Sequence, residues 1–237
     1  MIARVDLNLD LGELPDEPDA LYGLLTVANI ACGGHAGDAA SMARAISFTV
    51  ARGARIAAHP SYPDRAGFGR ARVEIDAADL AASVEAQCGA LQSIARKLGF
   101  SAGIVKPHGA LYHDAASDPR VAAAVALGAT RGLGVAGIVV VGPPHGALKA
   151  EAQRRGLRYA REGFADRAYT EEGALVPRSS PGALITDRDA AVRQAIALAA
   201  SGTVETICLH SDTPGAVELA VAVREALIHH GYLEGRD

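Results

Sequence analysis

The chain repeats one pattern six times: a short apolar run that ends in a cluster of histidine, carboxylate or lysine. The segments are VDLNLDLGE, VANIACGGHAGD, IAAHPSYPDRAGFGR, IVKPHGALYHD, YAREGFADR and TICLHSD. If the runs are parallel strands joined by helices, each cluster follows the carboxyl end of its strand. All clusters then open onto one face of the sheet, where such folds carry out their chemistry.

The apolar periodicity alternates between short strand-like runs and longer helix-like runs. It predicts strands at about 3–9, 26–31, 54–58, 103–106, 137–141, 157–161 and 205–209. It predicts helices at about 38–52, 76–98, 118–131, 145–155, 187–200 and 214–230, and a short helical turn at 19–24. Seven βα units favour one α/β domain over residues 1–237, a parallel, seven-stranded βα barrel. A doubly wound open sheet is the alternative, because periodicity alone does not separate the two.

Composition limits the classes of partner. The formal net charge is −4 and no long block of one sign occurs, so neither nucleic acid nor an anionic membrane is expected as a partner. No apolar stretch approaches the roughly 20 residues of a membrane helix, and the charged start MIARVDLNLDLGE does not resemble a signal peptide. Three cysteines without C-x-x-C spacing favour a reducing cytoplasm. We expect a small substrate.

Several histidines fall at predicted strand ends, which favours a catalytic role for them as a set. The first strand adds polar side chains on one face, since its residues alternate with a period of two. The catalytic candidates are Asp10, His35, His59, Lys106, His108 and His210, and Asn8 and Glu13 are candidates for substrate binding.

Asp10, His35 and His59 lie on successive predicted strands and could form a metal site that activates water. The same residues could equally form a metal-free acid/base group. Lys106 and His108 alternate onto one face of the fourth strand, which suits an anionic substrate or a transferring phosphoryl group.

Two long loops, 59–75 and 163–183, have the Gly, Pro, Arg and Asp content of active-site loops. Their candidates for binding a carboxylate or phosphate are Asp64, Arg70, Asp166, Arg167 and Arg178. No standard glycine-rich nucleotide cradle follows a strand.

The motifs DLNLDLGE, ANIACGGHAGD, HPSYPDRAGFGR, VKPHGALY, FADRAY, LVPR and CLHSDTPGAV, in this order from about residue 4 to 230, resemble the LamB/YcsF family. The resemblance implies a glycoside hydrolase/deacetylase-type barrel. It also implies ATP-dependent opening of 5-oxoproline to glutamate together with partner subunits B and C, with Mg as the counter-ion of ATP. It further implies that nine residues of this chain occupy the motif positions of the family: Asp10, His35, His59, Lys106, His108, Asp166, Arg167, His210 and Asp212.

Two other functions stay open. One is a metal-dependent deacetylase or amidohydrolase on the same barrel, which the Asp10, His35 and His59 set favours. The other is a non-catalytic substrate-binding subunit whose partner performs the chemistry.

Overall fold

The computed structural model describes residues 4–235. Within them, seven strands close into a barrel in chain order, and each strand is parallel to both neighbours. The strands are β1 (Asp6–Leu11), β2 (Val27–Ala31), β3 (Arg55–His59), β4 (Ile104–Val105), β5 (Val139–Gly142), β6 (Arg158–Phe164) and β7 (Thr206–His210). The predicted parallel barrel is therefore confirmed, and the open doubly wound sheet is wrong.

Helices cover the outside of the barrel. They are α1 (Ala39–Ala51), α2 (Ala77–Lys97), α3 (Gly109–Ser117), α4 (Pro119–Leu133), α5 (Ala147–Arg154), α6 (Arg188–Ser201) and α7 (Ala216–His229), with a 3-10 helix at Asp19–Gly23. Local sequence sets several of their starts. Asp38 and Ser41 form a capping box at the start of α1, and the side chain of Asp187 accepts the N–H of Ala190 at 2.8 Å at the start of α6.

Side chains alternate along each strand between the outside of the barrel, which faces the helices and is apolar, and the barrel interior, which contains both apolar and polar side chains. Leu7, Leu9 and Leu11 of β1 are fully buried in the large core that also contains the buried helix faces. The interior contains a small apolar cluster of Val27, Ala57, Ile104 and Val141. A second interior group is polar and buried, and its members are Asn8, Asp10, Asn29, Lys106, Glu162 and Thr206. The barrel interior is therefore apolar in one layer and polar in the other.

Three local predictions need correction. β1 continues to Leu11 and β6 to Phe164, beyond their predicted ends, because the strand ladder continues through interior polar residues where the apolar pattern stops. α3 was not predicted. It is short and ends at Ser117, and the next residue, Asp118, is extended, with a side chain that accepts the N–H of Arg120 and so caps the start of α4. Among residues 4–235, no helix is long and apolar enough to span a bilayer.

Candidate active site

A cavity of about 600 Å³ opens at the carboxyl ends of the strands. This volume is within the range of small-molecule sites. Most of the residues predicted from the sequence line it: Asp10, Glu13, His59, Arg70, Lys106, His108, Arg167, Arg178, His210 and Asp212. Asn8, His35 and Asp166 are buried and contact lining residues from behind. The cavity therefore joins residues from the first strand to the last.

Lys106 lies at the base of the cavity in a buried charge network. Its Nζ is 2.8 Å from Asp10 Oδ1, 3.1 Å from Glu162 Oε1 and 3.0 Å from Cys208 Sγ. Asn29 donates its side-chain N–H to the same Asp10 oxygen at 2.8 Å. A lysine that is 2% exposed thus has two carboxylates as partners.

Burial and charge act against each other in this network. Burial raises the pKa of Asp10, but its interactions with His59 and Lys106 outweigh burial, so the pKa of Asp10 lies well below its usual range. Burial lowers the pKa of Lys106, but Asp10, Cys208 and Glu162 hold it well above the usual value. Burial also raises the pKa of Glu162, and Lys106 only partly offsets this. Of the two carboxylate partners of Lys106, Asp10 is therefore the stronger acid.

Glu13 lies at the centre of three histidines. Its Oε1 is 2.9 Å from His35 Nε2, 3.2 Å from His108 Nδ1 and 3.6 Å from His59 Nε2. The ring of His35 stacks on that of His108, with centroids 3.6 Å apart. Burial lowers the pKa of His35 to about 4 and also lowers that of His108, so these two rings are neutral at neutral pH.

The donor atoms of Glu13, His35, His59 and His108 lie within 4.8 Å of one another, close enough to hold a metal ion. Of the metal set predicted from the sequence, His35 and His59 belong to this group. Asp10 instead contacts Lys106, although its Oδ2 is 3.4 Å from His59 Nε2.

His210, at the end of β7, is oriented by Asp166. His210 Nδ1 is 3.0 Å from both Asp166 oxygens, and Asp166 also accepts the backbone N–H of His210 and the hydroxyl of Thr213. Burial lowers the pKa of His210, but Asp166 outweighs it and the pKa is raised. The Nε2 of His210 lies 4.0 Å from Asp10 Oδ2. A carboxylate that holds one ring nitrogen leaves the other available for proton transfer.

Arginines from both long loops meet at the mouth of the cavity. Arg70 Nη2 is 2.5 Å and Arg178 Nη2 is 2.6 Å from the two carboxylate oxygens of Asp212. Two guanidinium groups share one carboxylate, so this group has a net positive charge. It suits a carboxylate or phosphoryl group in the cavity.

Two predicted binding residues have other contacts. Asp64 does not line the cavity, and its Oδ1 accepts the N–H of Gly67 at 2.8 Å within the loop after β3. Arg167 lines the cavity but donates to the backbone oxygens of Val176 and Ala183, and so holds the loop after β6 together.

Sequence reasoning missed Glu162. This residue accepts hydrogen bonds from Lys106 Nζ and from Asn8 Nδ2, the latter at 3.0 Å. The signal was present, because Ala160, Glu162 and Phe164 alternate along YAREGF. It was overlooked because β6 was predicted to end before Glu162.

These features define an α/β-barrel protein with a cluster of ionisable side chains at the carboxyl ends of its strands. The model of the LamB/YcsF family matches residues 5–233. A relative from Streptomyces avermitilis, named as the A subunit of 5-oxoprolinase, is 46% identical over an alignment of 241 positions, gaps included, that covers 94% of this chain and 95% of the relative. The chain belongs to the LamB/YcsF family.

Solved structures agree with this assignment. A structure described as the lactam utilization protein from Thermus thermophilus superposes with a TM-score of 0.89 and 37% identity, over 98% of this chain and 99% of that one. The catalytic domain of a peptidoglycan N-acetylglucosamine deacetylase from Eubacterium rectale has a TM-score of 0.51 at 13% identity, over 97% of this chain and 88% of that one. The latter likeness concerns the fold alone, and the predicted deacetylase-like barrel is confirmed.

Proposed function

We propose that the chain is the A subunit of an ATP-dependent 5-oxoprolinase, acting as one catalytic domain with subunits B and C. The complex would convert 5-oxo-L-proline to L-glutamate while ATP, with Mg as its counter-ion, is hydrolysed to ADP and phosphate. The observation that carries the proposal is the similarity, over nearly the whole chain, to relatives that bear this name. The three described cysteines are free and buried, which supports a reducing, cytoplasmic location.

A five-membered lactam is a poor electrophile, so its opening needs an activated carbonyl. In the proposed sequence, the lactam oxygen attacks the γ-phosphorus of ATP and ADP leaves. Water then adds to the ring carbon that bears the phosphorylated oxygen, and the C–N bond breaks as the ring nitrogen takes a proton, which leaves an acyl phosphate. A second water releases phosphate and completes the glutamate side chain.

The cavity supplies groups suited to these steps. The raised pKa of His210 suits it to protonate the departing ring nitrogen, with Asp166 holding the ring in place. The net positive charge around Arg70, Arg178 and Asp212 suits phosphoryl or carboxylate oxygens. Asp10 Oδ2 is near both His59 and His210, so we assign it to orienting the attacking water.

The test is reconstitution of the chain with candidate subunits B and C, followed by measurement of ADP and glutamate. We expect both products in equal amounts when 5-oxoproline and all three subunits are present. His210→Ala should abolish glutamate formation while the complex still assembles. His145→Ala, an exposed histidine outside the cavity lining, is the matched control and should leave turnover intact.

The alternatives give different results. If the chain hydrolyses acetylated amides without ATP, it is an amidohydrolase, an alternative that the Glu13 and histidine group favours. If His210→Ala and Asp10→Asn leave glutamate formation unchanged, the chain is a non-catalytic binding subunit. Failure of every combination of the three proteins to consume 5-oxoproline would refute the proposal.

A further inference from the structure

Two imidazoles in the cavity each use one ring nitrogen to hydrogen-bond a backbone carbonyl oxygen. His59 Nδ1 lies 2.7 Å from the carbonyl oxygen of Lys106, and His108 Nε2 lies 3.0 Å from that of Phe68. A carbonyl oxygen only accepts hydrogen bonds, so each of these nitrogens holds the ring proton. In the neutral rings, His59 Nε2 and His108 Nδ1 therefore have free lone pairs, and these two atoms lie 3.1 Å apart.

Lone pairs that face each other at this distance repel unless a proton or a cation lies between them. A carboxylate oxygen completes a triangle with them, since Glu13 Oε1 is 3.2 Å from His108 Nδ1 and 3.6 Å from His59 Nε2. Three electron-pair donors, one of them anionic, thus converge on one point at the cavity wall.

The size of this triangle matches a metal site. Zinc binds imidazole nitrogen and carboxylate oxygen at about 2.0–2.2 Å, so a tetrahedral ion separates its ligand atoms by about 3.3–3.6 Å. Of the observed separations, 3.6 Å lies at the upper end of this range, and 3.1 and 3.2 Å lie just below it.

The surroundings provide the outer hydrogen bonds that orient metal ligands. His35 Nε2 lies 2.9 Å from the same Glu13 oxygen, while the carbonyl groups of Lys106 and Phe68 hold the two ligand rings. Phe68 has φ of 54°, a left-handed conformation that is unfavourable for a residue other than glycine. This strained backbone presents the carbonyl that His108 contacts.

We propose that Glu13, His59 and His108 bind one zinc-class divalent transition-metal ion, with its fourth position open to the cavity. Two of the three donors are imidazole nitrogens, which suits zinc and disfavours magnesium. Asp10 is not in this ligand set: Lys106 engages its Oδ1, and although its Oδ2 lies 3.4 Å from His59 Nε2, it is not one of the mutually close donor atoms of this group. His35 acts as a support for Glu13. The inference goes beyond the proposed function and does not depend on it, since a non-catalytic binding protein could hold the ion equally well.

The test uses the full chain, stripped with a chelator and titrated with Co²⁺, whose visible absorption reports the coordination geometry. We expect saturation at about one equivalent, with bands typical of a four- or five-coordinate site. Zn²⁺ should displace the Co²⁺, and excess Mg²⁺ should not. A proton shared between His59 and His108 would instead give no saturable binding, and this result would overturn the inference.

Variants separate ligands from supports. Glu13→Gln and His108→Ala should lose saturable Co²⁺ binding, whereas His35→Ala should weaken it by only about 10- to 100-fold, as expected for an outer hydrogen bond. The double variant His229→Ala/His230→Ala removes an exposed adjacent pair that could bind metal adventitiously, and it should bind as the wild type does.

Far-UV circular dichroism checks that each variant is folded. If His108→Ala does not fold, the Co²⁺ titration of Glu13→Gln is sufficient to test the site. Wild-type affinity in Glu13→Gln, or loss of binding in the His229/His230 variant, would refute the site. Because the readout is metal binding, a chain that turns over 5-oxoproline without binding Co²⁺ would refute this inference and leave the proposed function standing.

Discussion

Replacing Lys106 by methionine leaves Asp10 buried without its closest positive partner. Lys106 is 2% and Asp10 is 3% exposed, and their charged atoms are 2.8 Å apart. Removing one partner of a buried ion pair costs about 3–5 kcal/mol. Asn29 still donates to Asp10 Oδ1, and His59 remains near Oδ2. We therefore expect the lower end of that range, about 3 kcal/mol of lost stability.

The pH dependence of this loss follows from Asp10. In the wild type its folded pKa is depressed, so it contributes stability above its unfolded value of about 3.9, and that stability disappears only as the pH falls through the lower folded pKa. In Lys106→Met the folded pKa rises, and keeping Asp10 ionised in the folded state becomes costly above the unfolded value. The difference between the two proteins should be largest near neutral pH and should shrink toward about pH 4.

Urea unfolding followed by far-UV circular dichroism measures both quantities. Lys97→Met is the matched control, because Lys97 is exposed at the end of α2, and it should change stability by less than about 0.5 kcal/mol. Asp10→Asn combined with Lys106→Met should recover part of the loss, since the charge of Asp10 is then no longer stranded, although Glu162 still lacks its lysine partner. A loss below about 1 kcal/mol, or one that is constant with pH, would contradict the assignment of a buried ion pair.

Three further predictions concern other parts of the structure. Asp166→Asn removes the group that raises the pKa of His210, so the alkaline limb of turnover by the reconstituted complex should move to lower pH and kcat should fall by about 100-fold or more; an unchanged pH profile would count against His210 as the acid. Arg178→Gln removes a charge-assisted contact and should raise KM by about tenfold or more, whereas the exposed Arg193→Gln should not; equal KM values would contradict an anion role at the mouth. Asp118→Ala removes the cap of α4 and should cost about 1 kcal/mol in urea unfolding at unchanged turnover, and no measurable cost would mean that solvent replaces the cap.

The direction of the strands could be predicted because each apolar run alternates with a helical pattern, and a parallel arrangement suits that alternation; the closed barrel order could not, because a doubly wound sheet has the same alternation. The residues at which the strands end could not be predicted in this way. Asp10 and Glu162 lie inside the barrel within strands, but polar residues interrupt an apolar pattern and so look like the end of a strand. The missed α3 has a related cause, since a helix of nine residues that ends at Ser117, shortly before Pro119, offers too few residues for clear periodicity.

The residue types of the candidate site were visible, but their pairing was not. Sequence spacing suggested Asp10 as the partner of His35 and His59, whereas Glu13 is the carboxylate that His35 contacts, and Asp10 turns toward Lys106. This choice depends on the stagger between strands in the closed barrel, which brings β4 within reach of β1. No property of either local segment contains that information.

Asp10 joins the two halves of the cavity electrostatically. One of its oxygens contacts Lys106, while the other lies 3.4 Å from His59 and 4.0 Å from His210. A change of charge on the lysine side must therefore alter the proton affinity of the histidine side, because both act on the same carboxylate at short range and away from solvent screening. Lys106 and His210 do not need to touch for their substitutions to be non-additive, and a double-mutant cycle on stability should give a coupling of about 0.5 kcal/mol or more. Strict additivity would mean that solvent screens Asp10, in conflict with its burial.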